Sequence, residues 1–307
     1  MAHNIESMFY TREKPWHGLG TMVQEAPTSS EALRLAGLDW TVEGCPIYTA
    51  EGEQIDNYKV NVRSSDNAVL GVVTDRYTIC QNSNAFEFTD ELIGGDVRYE
   101  TAGSLRGGRR IWLLAKMPNT TVAGDDVEPY LCFTNTHDGS GAVRVCMTPV
   151  RVVCNNTLNI ALSRAKRSWS VTHVGDIQEK ITEAKIALEL SGEYMDALDK
   201  RANELANTSL PFDKVREIIN ELFPINEDDG ERAKATMKKT QDAYYVSYFM
   251  PDLKQFQGTA WGAINAMADM VDHNAPHRKT KNYAENNWGR IMDGHVLVDQ
   301  MTALCTK

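Results

Sequence analysis

The sequence predicts an α+β protein with an antiparallel sheet in its N-terminal half and helices in its C-terminal half. Between Asp39 and Cys154, short runs of β-branched and aromatic residues alternate with turn formers, a pattern typical of strands. The connections between these runs are short, so neighbouring strands are expected to run antiparallel. After Asp176 the apolar residues recur at helical spacing instead. We therefore expect a β-rich domain over residues 1–175 and an α-helical domain over residues 176–307.

The first half carries two short helices among its predicted strands. One spans Thr28 to Gly37, where Ser29 or Ser30 is expected to cap the start. The other spans Ser83 to Gly95, with Ser83 as the expected cap. The strands before the second helix are expected within DWTVEGCPIYTA, NYKVNVRSSD and AVLGVVTDRYTIC. Polar and turn-forming residues are mixed in the first 37 residues, and KPWHGLGT, from Lys14 to Thr21, predicts an ordered loop.

The segment from Arg98 to Met117 predicts a β-hairpin with a tight turn at Gly107 and Gly108. Two further strands are expected on either side of the turn DGSG, and a helix is predicted over residues 155–167. In the second half, helices are predicted over residues 176–206, 211–223, 229–249, 259–273 and 288–304.

The composition is typical of a soluble globular protein, since 24% of the 307 residues are charged and 42% are hydrophobic. No run approaches the roughly 18 consecutive apolar residues of a membrane-spanning helix. The N-terminus has no apolar run like that of a secretory signal, so we expect a cytoplasmic protein. None of the six cysteines forms a CxxC pair. Cys132 and Cys146 lie in apolar runs and are expected to be core thiols.

The sequence contains none of the motifs GxxxxGK[ST], GxSxG and HExxH, so we expect no enzymatic activity, cofactor or metal. His137 and Asp138 in THDGSG have side chains that ligate metals or exchange protons, but Asp-Gly favours a hairpin turn. Cys154 precedes a predicted helix, where thiols are activated, but the valines before it indicate a buried strand. VDHNAPHRK, at residues 271–279, offers ligands for a divalent ion, although a helix end is expected there.

The middle of the chain is a basic island in an acidic protein. The formal net charge of the whole chain is -10. From Arg98 to Arg167 there are ten basic and five acidic residues, so the balance is 10 − 5 = +5 and the remainder carries −10 − 5 = −15. Local charge of this kind attracts phosphates in spite of an acidic total.

Basic and aromatic side chains are interleaved in this island. Along the second hairpin strand, alternation places Arg110, Trp112 and Lys116 on one face. Single-stranded nucleic acid needs this combination, because cations follow its phosphates and rings stack on its bases. A solvated sheet face with structural ion pairs is the alternative. The candidate phosphate-binding residues are Arg106, Arg109, Arg110, Lys116, Arg144, Arg151, Lys166 and Arg167, and the candidate base-stacking residues are Trp112 and Trp169.

Several phrases of the sequence resemble a known family. They are KPWHGLGT, AGLDWTVE, ETAGSLRGGRRIWLLAKMP, HDGSGAVRV, TPVRVVCNNTLNIAL and TAWGAINAMADMVDH. These phrases are similar to those of a family of phage and plasmid proteins of unknown function, and the resemblance runs from Lys14 to His273. It implies a protein encoded by phages or mobile elements that acts in the host cytoplasm.

A helix, a basic hairpin sheet and a second helix resemble, at the level of the fold, the core of phage annealing proteins of the RecT, Erf and Red-beta types. That resemblance implies rings or filaments that hold single-stranded DNA in a basic groove and anneal it without ATP or metal. Our first expectation is therefore a phage single-strand annealing protein that forms a homo-oligomer larger than a dimer. The alternative is a counter-defence protein that binds a host immune factor or sequesters a nucleotide. An enzyme is the third possibility.

Overall fold

The computed structural model describes residues 5–11, 20–93, 98–151, 168–176, 191–273 and 294–306. The predicted α+β class is confirmed over these ranges, because the strands precede residue 172 and only helices follow residue 190. The helix predicted over residues 155–167 and the first parts of those predicted over 176–206 and 288–304 lie outside them.

The larger sheet has eight strands. Their bounds are β1 Ile5–Thr11, β2 Thr21–Val23, β6 Arg98–Leu105, β7 Arg110–Lys116, β8 Thr120–Val122, β9 Asp125–Thr136, β10 Val143–Arg151 and β11 Ser168–Val171. Their order is β11-β10-β9-β7-β6-β1-β2, and β8 pairs with β9. The predicted hairpin is β6 and β7, with Leu105 opposite Arg110.

Strands β1 and β2 were not expected from the sequence. β1 pairs with β6 and extends the sheet beyond the hairpin. Of the loop predicted from Lys14 to Thr21, residues 14–19 lie outside the described residues, and Thr21 begins β2. β1 and β2 also pair in parallel, with Phe9 opposite Thr21. Short connections favour antiparallel pairing for consecutive strands, so this parallel pair differs from the expectation that neighbouring strands run antiparallel.

The smaller sheet consists of β3 Val42–Tyr48, β4 Gln54–Arg63 and β5 Val69–Thr74. Both pairs are antiparallel, as predicted, with Cys45 and Val72 on either side of Val60. Strand alternation directs Asn61 and Arg63 to the face opposite Val60. Both residues are buried, which makes this face the inner one.

Two helices cover one face of the larger sheet: α1 Ser29–Leu35 and α2 Asn82–Ile93. The core between them contains Ile111, Leu113 and Ala115 of β7, all fully buried. The cap of α1 is Thr28 rather than a serine, since the Glu31 carboxylate accepts hydrogen bonds from its backbone N and hydroxyl. Helix α2 begins one residue before the expected cap, so Ser83 lies inside it.

The C-terminal part is helical, as predicted. Its helices are α3 Ser191–Ala206, α4 Phe212–Leu222, α5 Glu231–Tyr248, the 3-10 helix Pro251–Phe256, α6 Ala260–His273 and α7 Val296–Cys305. Helix α6 is the centre of this part, because every residue from Ala260 to Met270 is buried. None of the helices in the described ranges combines the length and apolar character needed to span a bilayer.

The chain divides into two compact units, and both are discontinuous in sequence. The first contains the residues up to Pro118, then Tyr130–Met147, and then the segment with β11. The second contains Asn119–Pro129 and the helices from α3 onward. In this division β8 and the start of β9 group with the helices.

The prediction that Cys132 and Cys146 are buried thiols is confirmed. Both are fully buried, and neither belongs to a disulfide. Burial also raises the pKa of the Cys80 thiol to about 12. These cysteines therefore pack as small hydrophobic residues.

Candidate functional site

The turn of the basic hairpin requires three residues in the left-handed region. Arg106, Gly107 and Gly108 have φ angles of 55°, 68° and 82°. Glycine adopts these angles without the strain that a Cβ atom brings. Gly108 also has a packing role, because a Cβ atom at this position would lie 2.8 Å from Nη1 of Arg63. The turn is thus held against the inner face of the smaller sheet.

Four of the predicted arginines come together at one end of the larger sheet. Arg106 and Arg109 lie in the turn, and Arg110 at the start of β7 stands opposite Thr136 at the end of β9. β10 starts just after the next turn, so Arg144 lies at the same end. Arg110 and Arg144 alternate with core residues and share the sheet face opposite the core. We call Arg106, Arg109, Arg110 and Arg144 the arginine end.

Two other predicted phosphate ligands lie at the opposite end of the sheet. Lys116 ends β7 and stands opposite Arg98, six residues from Arg110, a separation of about 20 Å at the rise of a strand. Arg151 ends β10. Lys166 and Arg167 lie outside the described residues. The predicted single cluster is therefore divided between the two ends of the sheet.

Both predicted stacking residues take part in packing. Trp112 is 5% exposed, and its ring crosses Gly103, where a Cβ atom would lie 2.6 Å from Cη2. Trp169 is half-buried, stands opposite Val145 and packs against the hydrophobic core, on the face away from Arg144. A stacking role for either ring stays a prediction. For Trp112 it would require a conformational change that exposes the ring to solvent.

Arg63 is a buried arginine that the sequence did not single out. Its Nη1 bonds both carboxylate oxygens of Glu6 at 2.8 Å, and its Nε and Nη2 bond Asp66 at 2.8 and 2.7 Å. The guanidinium lies 5.5 Å from the centre of the Trp40 ring. Its hydrogen bond to Asp66 lowers the pKa of that carboxyl to about 2. Arg63 thus forms structural ion pairs. This is the alternative role that we considered for the basic residues between Arg98 and Arg167.

A buried polar cluster lies directly behind the turn. We call Asn61, Asn82, Asn135, His137 and His173 the histidine cluster. The His137 backbone N–H donates to the Arg109 carbonyl at 2.8 Å, which connects the cluster with the arginine end. Trp40 packs edge-on against the His137 ring at 5.5 Å, and Tyr77 stacks on His173 at 4.3 Å.

Burial keeps both histidines neutral. Burial, together with a smaller contribution from the nearby His173, lowers the pKa of His137 to about 3. Burial also lowers the pKa of His173. Four buried atoms of the cluster have no hydrogen-bond partner: Asn61 Oδ1, Asn135 Oδ1, His137 Nδ1 and His173 Nε2. A neutral buried polar atom costs about 1–3 kcal/mol when it is left unsatisfied.

The sequence contained a signal for this cluster that the prediction did not use. Leu131, Phe133 and Asn135 alternate along β9 and His137 follows it directly, so one strand face passes from apolar to polar at its end. THDGSG does form the expected turn, in which Asp138 Oδ1 accepts from the Ser140 N–H. The prediction treated His137 as part of that exposed turn, whereas it is fully buried. Cys154 and His277 lie outside the described residues.

A comparison with known families gives a match over most of the chain. Residues 69–290 match the family model described as "Domain of unknown function (DUF932)". The matched region contains the hairpin, the arginine end and every residue of the histidine cluster except Asn61. No curated protein and no solved structure matches the chain. Because the family model covers more than half of the sequence, the chain belongs to the DUF932 family.

Proposed function

We propose that this protein binds single-stranded DNA through the arginine end and acts as an ATP-independent annealing protein in phage recombination. The observation that supports this proposal is the position of Arg106, Arg109, Arg110 and Arg144. Two turns and two strands bring these side chains to one end of the sheet, in a protein whose net charge is −10. Guanidinium groups bind phosphate oxygens through paired donors, which favours a phosphate-bearing ligand.

The alternative explanation, in which arginines form structural ion pairs within the fold, does not apply equally to every arginine. Arg63 is enclosed by Glu6 and Asp66, so its charge is neutralised within the fold. Arg109, by contrast, is exposed at the tip of the hairpin. Gly107, two residues before it, has open space where a Cβ atom would stand. Arg109 is therefore the residue on which we expect binding to depend most directly.

Annealing without ATP also implies repeated sites along the polymer. One arginine end supplies only a few phosphate contacts, and linked copies raise the effective concentration of the next contact. We therefore propose a homo-oligomer larger than a dimer. Light scattering and electron microscopy of the protein, with and without single-stranded DNA, test this part of the proposal. A monomer under both conditions would contradict it.

The site itself is tested by replacing Arg106, Arg109 and Arg110 with alanine. Binding of a labelled oligonucleotide is followed by fluorescence anisotropy at several salt concentrations. Each lost phosphate contact should flatten the salt dependence by about one unit on logarithmic axes. Affinity should fall alike for all sequences, because phosphates carry no sequence information.

A matched control removes the same charge elsewhere. Arg201, Arg216 and Lys238 belong to ion pairs on the surface of the helices, and replacing them with alanine changes the net charge equally. This control should bind like the parent if contacts at the arginine end matter, and like the triple variant if only total charge matters. A shallow salt dependence in the parent would instead favour the alternative, a protein that sequesters a small phosphorylated ligand.

A further inference from the structure

The hairpin of β3 and β4 extends beyond the third strand of the smaller sheet. The pairing of β4 with β5 ends at Tyr58, whereas β4 continues back to Gln54, which stands opposite Tyr48 of β3. Residues 48–56 therefore form a two-stranded projection, which we call the arm. A two-stranded hairpin is only marginally stable in water unless it packs against something else.

The arm is exposed on both faces. When one face of a sheet is covered, alternate residues are buried, but every residue of the arm is exposed except Thr49, which is half-buried. Two of the exposed side chains are large and apolar, since Tyr48 is 55% and Ile55 38% exposed. Gly52 at the tip has open space around it. The arm thus presents apolar side chains that the described residues leave uncovered.

The arm is also acidic. Its sequence contains Glu51, Glu53 and Asp56 and no lysine or arginine. Within the described part of the chain, none of these three carboxylates forms an ion pair. Guanidinium groups bind carboxylates through paired donors and also stack on aromatic rings such as that of Tyr48. The chemistry of the arm is therefore complementary to a surface of arginines.

The arginine end has this chemistry but lies at the other end of β4. Gly108, next to Arg109, packs against Arg63, the last residue of β4. Nine residues separate Arg63 from Gln54, which corresponds to about 30 Å at the rise of a strand. The arm therefore cannot reach the arginine end of its own copy, so a contact between these two surfaces must join two copies of the chain.

We propose that the arm of one copy docks on the arginine end of a second copy, where its carboxylates take the place of DNA phosphates. The two surfaces differ, so the contact is heterologous, and repeated contacts of this kind build a ring or a filament. DNA has to displace the arm, which therefore regulates access to the arginine end. This inference rests on the proposed function, because the arm and DNA use the same arginines.

The first test contains no DNA. Sedimentation velocity of the full chain at low salt should show association that grows with protein concentration and weakens as salt screens the charges. The arm variant, Glu51→Gln with Glu53→Gln and Asp56→Asn, should lose this association. Its net charge is less negative and self-repulsion is lower, so a general charge effect would act in the opposite direction. A monomeric parent, or an arm variant that associates as the parent does, would overturn the proposal.

Three control variants identify the docking surface. Arg109→Ala should weaken the association, whereas Lys116→Ala, at the opposite end of the larger sheet, should not. Replacing three exposed carboxylates of the helical part should also leave the association intact; this control combines Glu221→Gln, Glu227→Gln and Asp228→Asn. Full association of Arg109→Ala would show that the arm docks elsewhere and would overturn the proposal, as would loss of association in the helical control.

The last test adds a labelled single-stranded oligonucleotide. At a protein concentration where half of the arginine ends hold an arm, the apparent dissociation constant of the parent should be about twice that of the arm variant. The helical control should bind the oligonucleotide like the parent. Equal affinities of the parent and the arm variant would overturn the competition between arm and DNA. A parent that associates through the arm but binds no oligonucleotide would contradict the proposed function and support the contact between copies.

Discussion

Arg63 Nη1 lies 2.8 Å from both carboxylate oxygens of Glu6, which joins the end of β4 to the start of the larger sheet. The Arg63 side chain is 10% exposed. A second carboxylate, Asp66, binds the remaining side of the guanidinium. The buried guanidinium is therefore compensated by charges within the fold, so Arg63 fixes the smaller sheet over the hairpin turn.

Replacing Arg63 should be costly for this reason. Arg63→Met leaves the Glu6 carboxylate without its partner, and we expect the free energy of unfolding to fall by about 2–4 kcal/mol. The matched control is Arg201→Met, which breaks an exposed pair with Glu204 and should cost less than about 1 kcal/mol. Urea denaturation of both variants measures the difference. Equal costs would show that Arg63 contributes no more than a surface pair.

The division between strands and helices could be predicted because it depends on local periodicity. Alternation identified β7 and the strands around the DGSG turn, and helical spacing identified α4, α5 and α6. β1 was missed because its partner β6 is distant in the sequence. Pairing of that kind leaves no local pattern.

The candidate site was predicted only in part. Charge composition pointed to the arginines, and the hairpin register then placed three of them together. Sequence could not show that Lys116 lies at the far end of β7, nor that Trp112 and Trp169 are packed, because burial depends on what covers each sheet face. The histidine cluster joins β4, α2, β9 and the segment after β11, so only the tertiary fold brings it together.

Two adjacent glycines in the hairpin turn should respond differently to alanine. Both have positive φ, so each substitution carries the left-handed penalty of about 1–2 kcal/mol. Around Gly107 there is open space, whereas a Cβ atom on Gly108 meets Arg63 at 2.8 Å and Trp40 at 3.3 Å. We expect Gly108→Ala to cost a further 1–3 kcal/mol, about the cost of overpacking. Thermal melts of both variants measure this, and equal losses would contradict close packing at Gly108.

The histidine cluster should make stability depend on pH. The pKa of His137 is lowered by burial to about 3, below that of an unfolded histidine. As the pH falls below about 6.5, the unfolded chain takes up a proton that the folded chain does not. Well below that pH, the free energy of unfolding should therefore fall by about 1.4 kcal/mol per pH unit because of His137, and the lowered pKa of His173 acts in the same direction. Denaturation between about pH 5 and 6.5, where most carboxylates stay ionised, measures the slope.

His273 serves as a control of opposite sign. Its hydrogen bond to Asp269 raises its pKa, so its contribution is present at low pH and disappears as the pH rises through the raised value. His273→Gln should therefore steepen the loss of stability on acidification, whereas His137→Gln should reduce it. A His273→Gln variant with the same stability at both ends of the window would contradict neutral burial of His137.

Trp112 should behave as a core residue. Since it is 5% exposed, Trp112→Ala opens a cavity and should lower the free energy of unfolding by about 3–5 kcal/mol. Trp169→Ala should cost less, because Trp169 is only half-buried. Urea denaturation gives both values, and titration with an oligonucleotide under folding conditions gives the affinities. A stable Trp112→Ala variant with weaker DNA binding would restore the stacking interpretation of this ring.

Arg109 and Lys116 provide the sharpest test of where nucleic acid binds. Each variant to alanine removes one positive charge from the same hairpin, and Arg109 is exposed at its tip. Lys116 lies about 20 Å from Arg110 along β7, twice the Debye length of about 10 Å at 0.1 M salt. If DNA is bound at the arginine end, Arg109→Ala should reduce the salt slope by about one unit, and Lys116→Ala should leave it unchanged. Equal reductions would mean that DNA lies along the whole strand, and an effect of Lys116→Ala alone would move the site to the opposite end of the sheet.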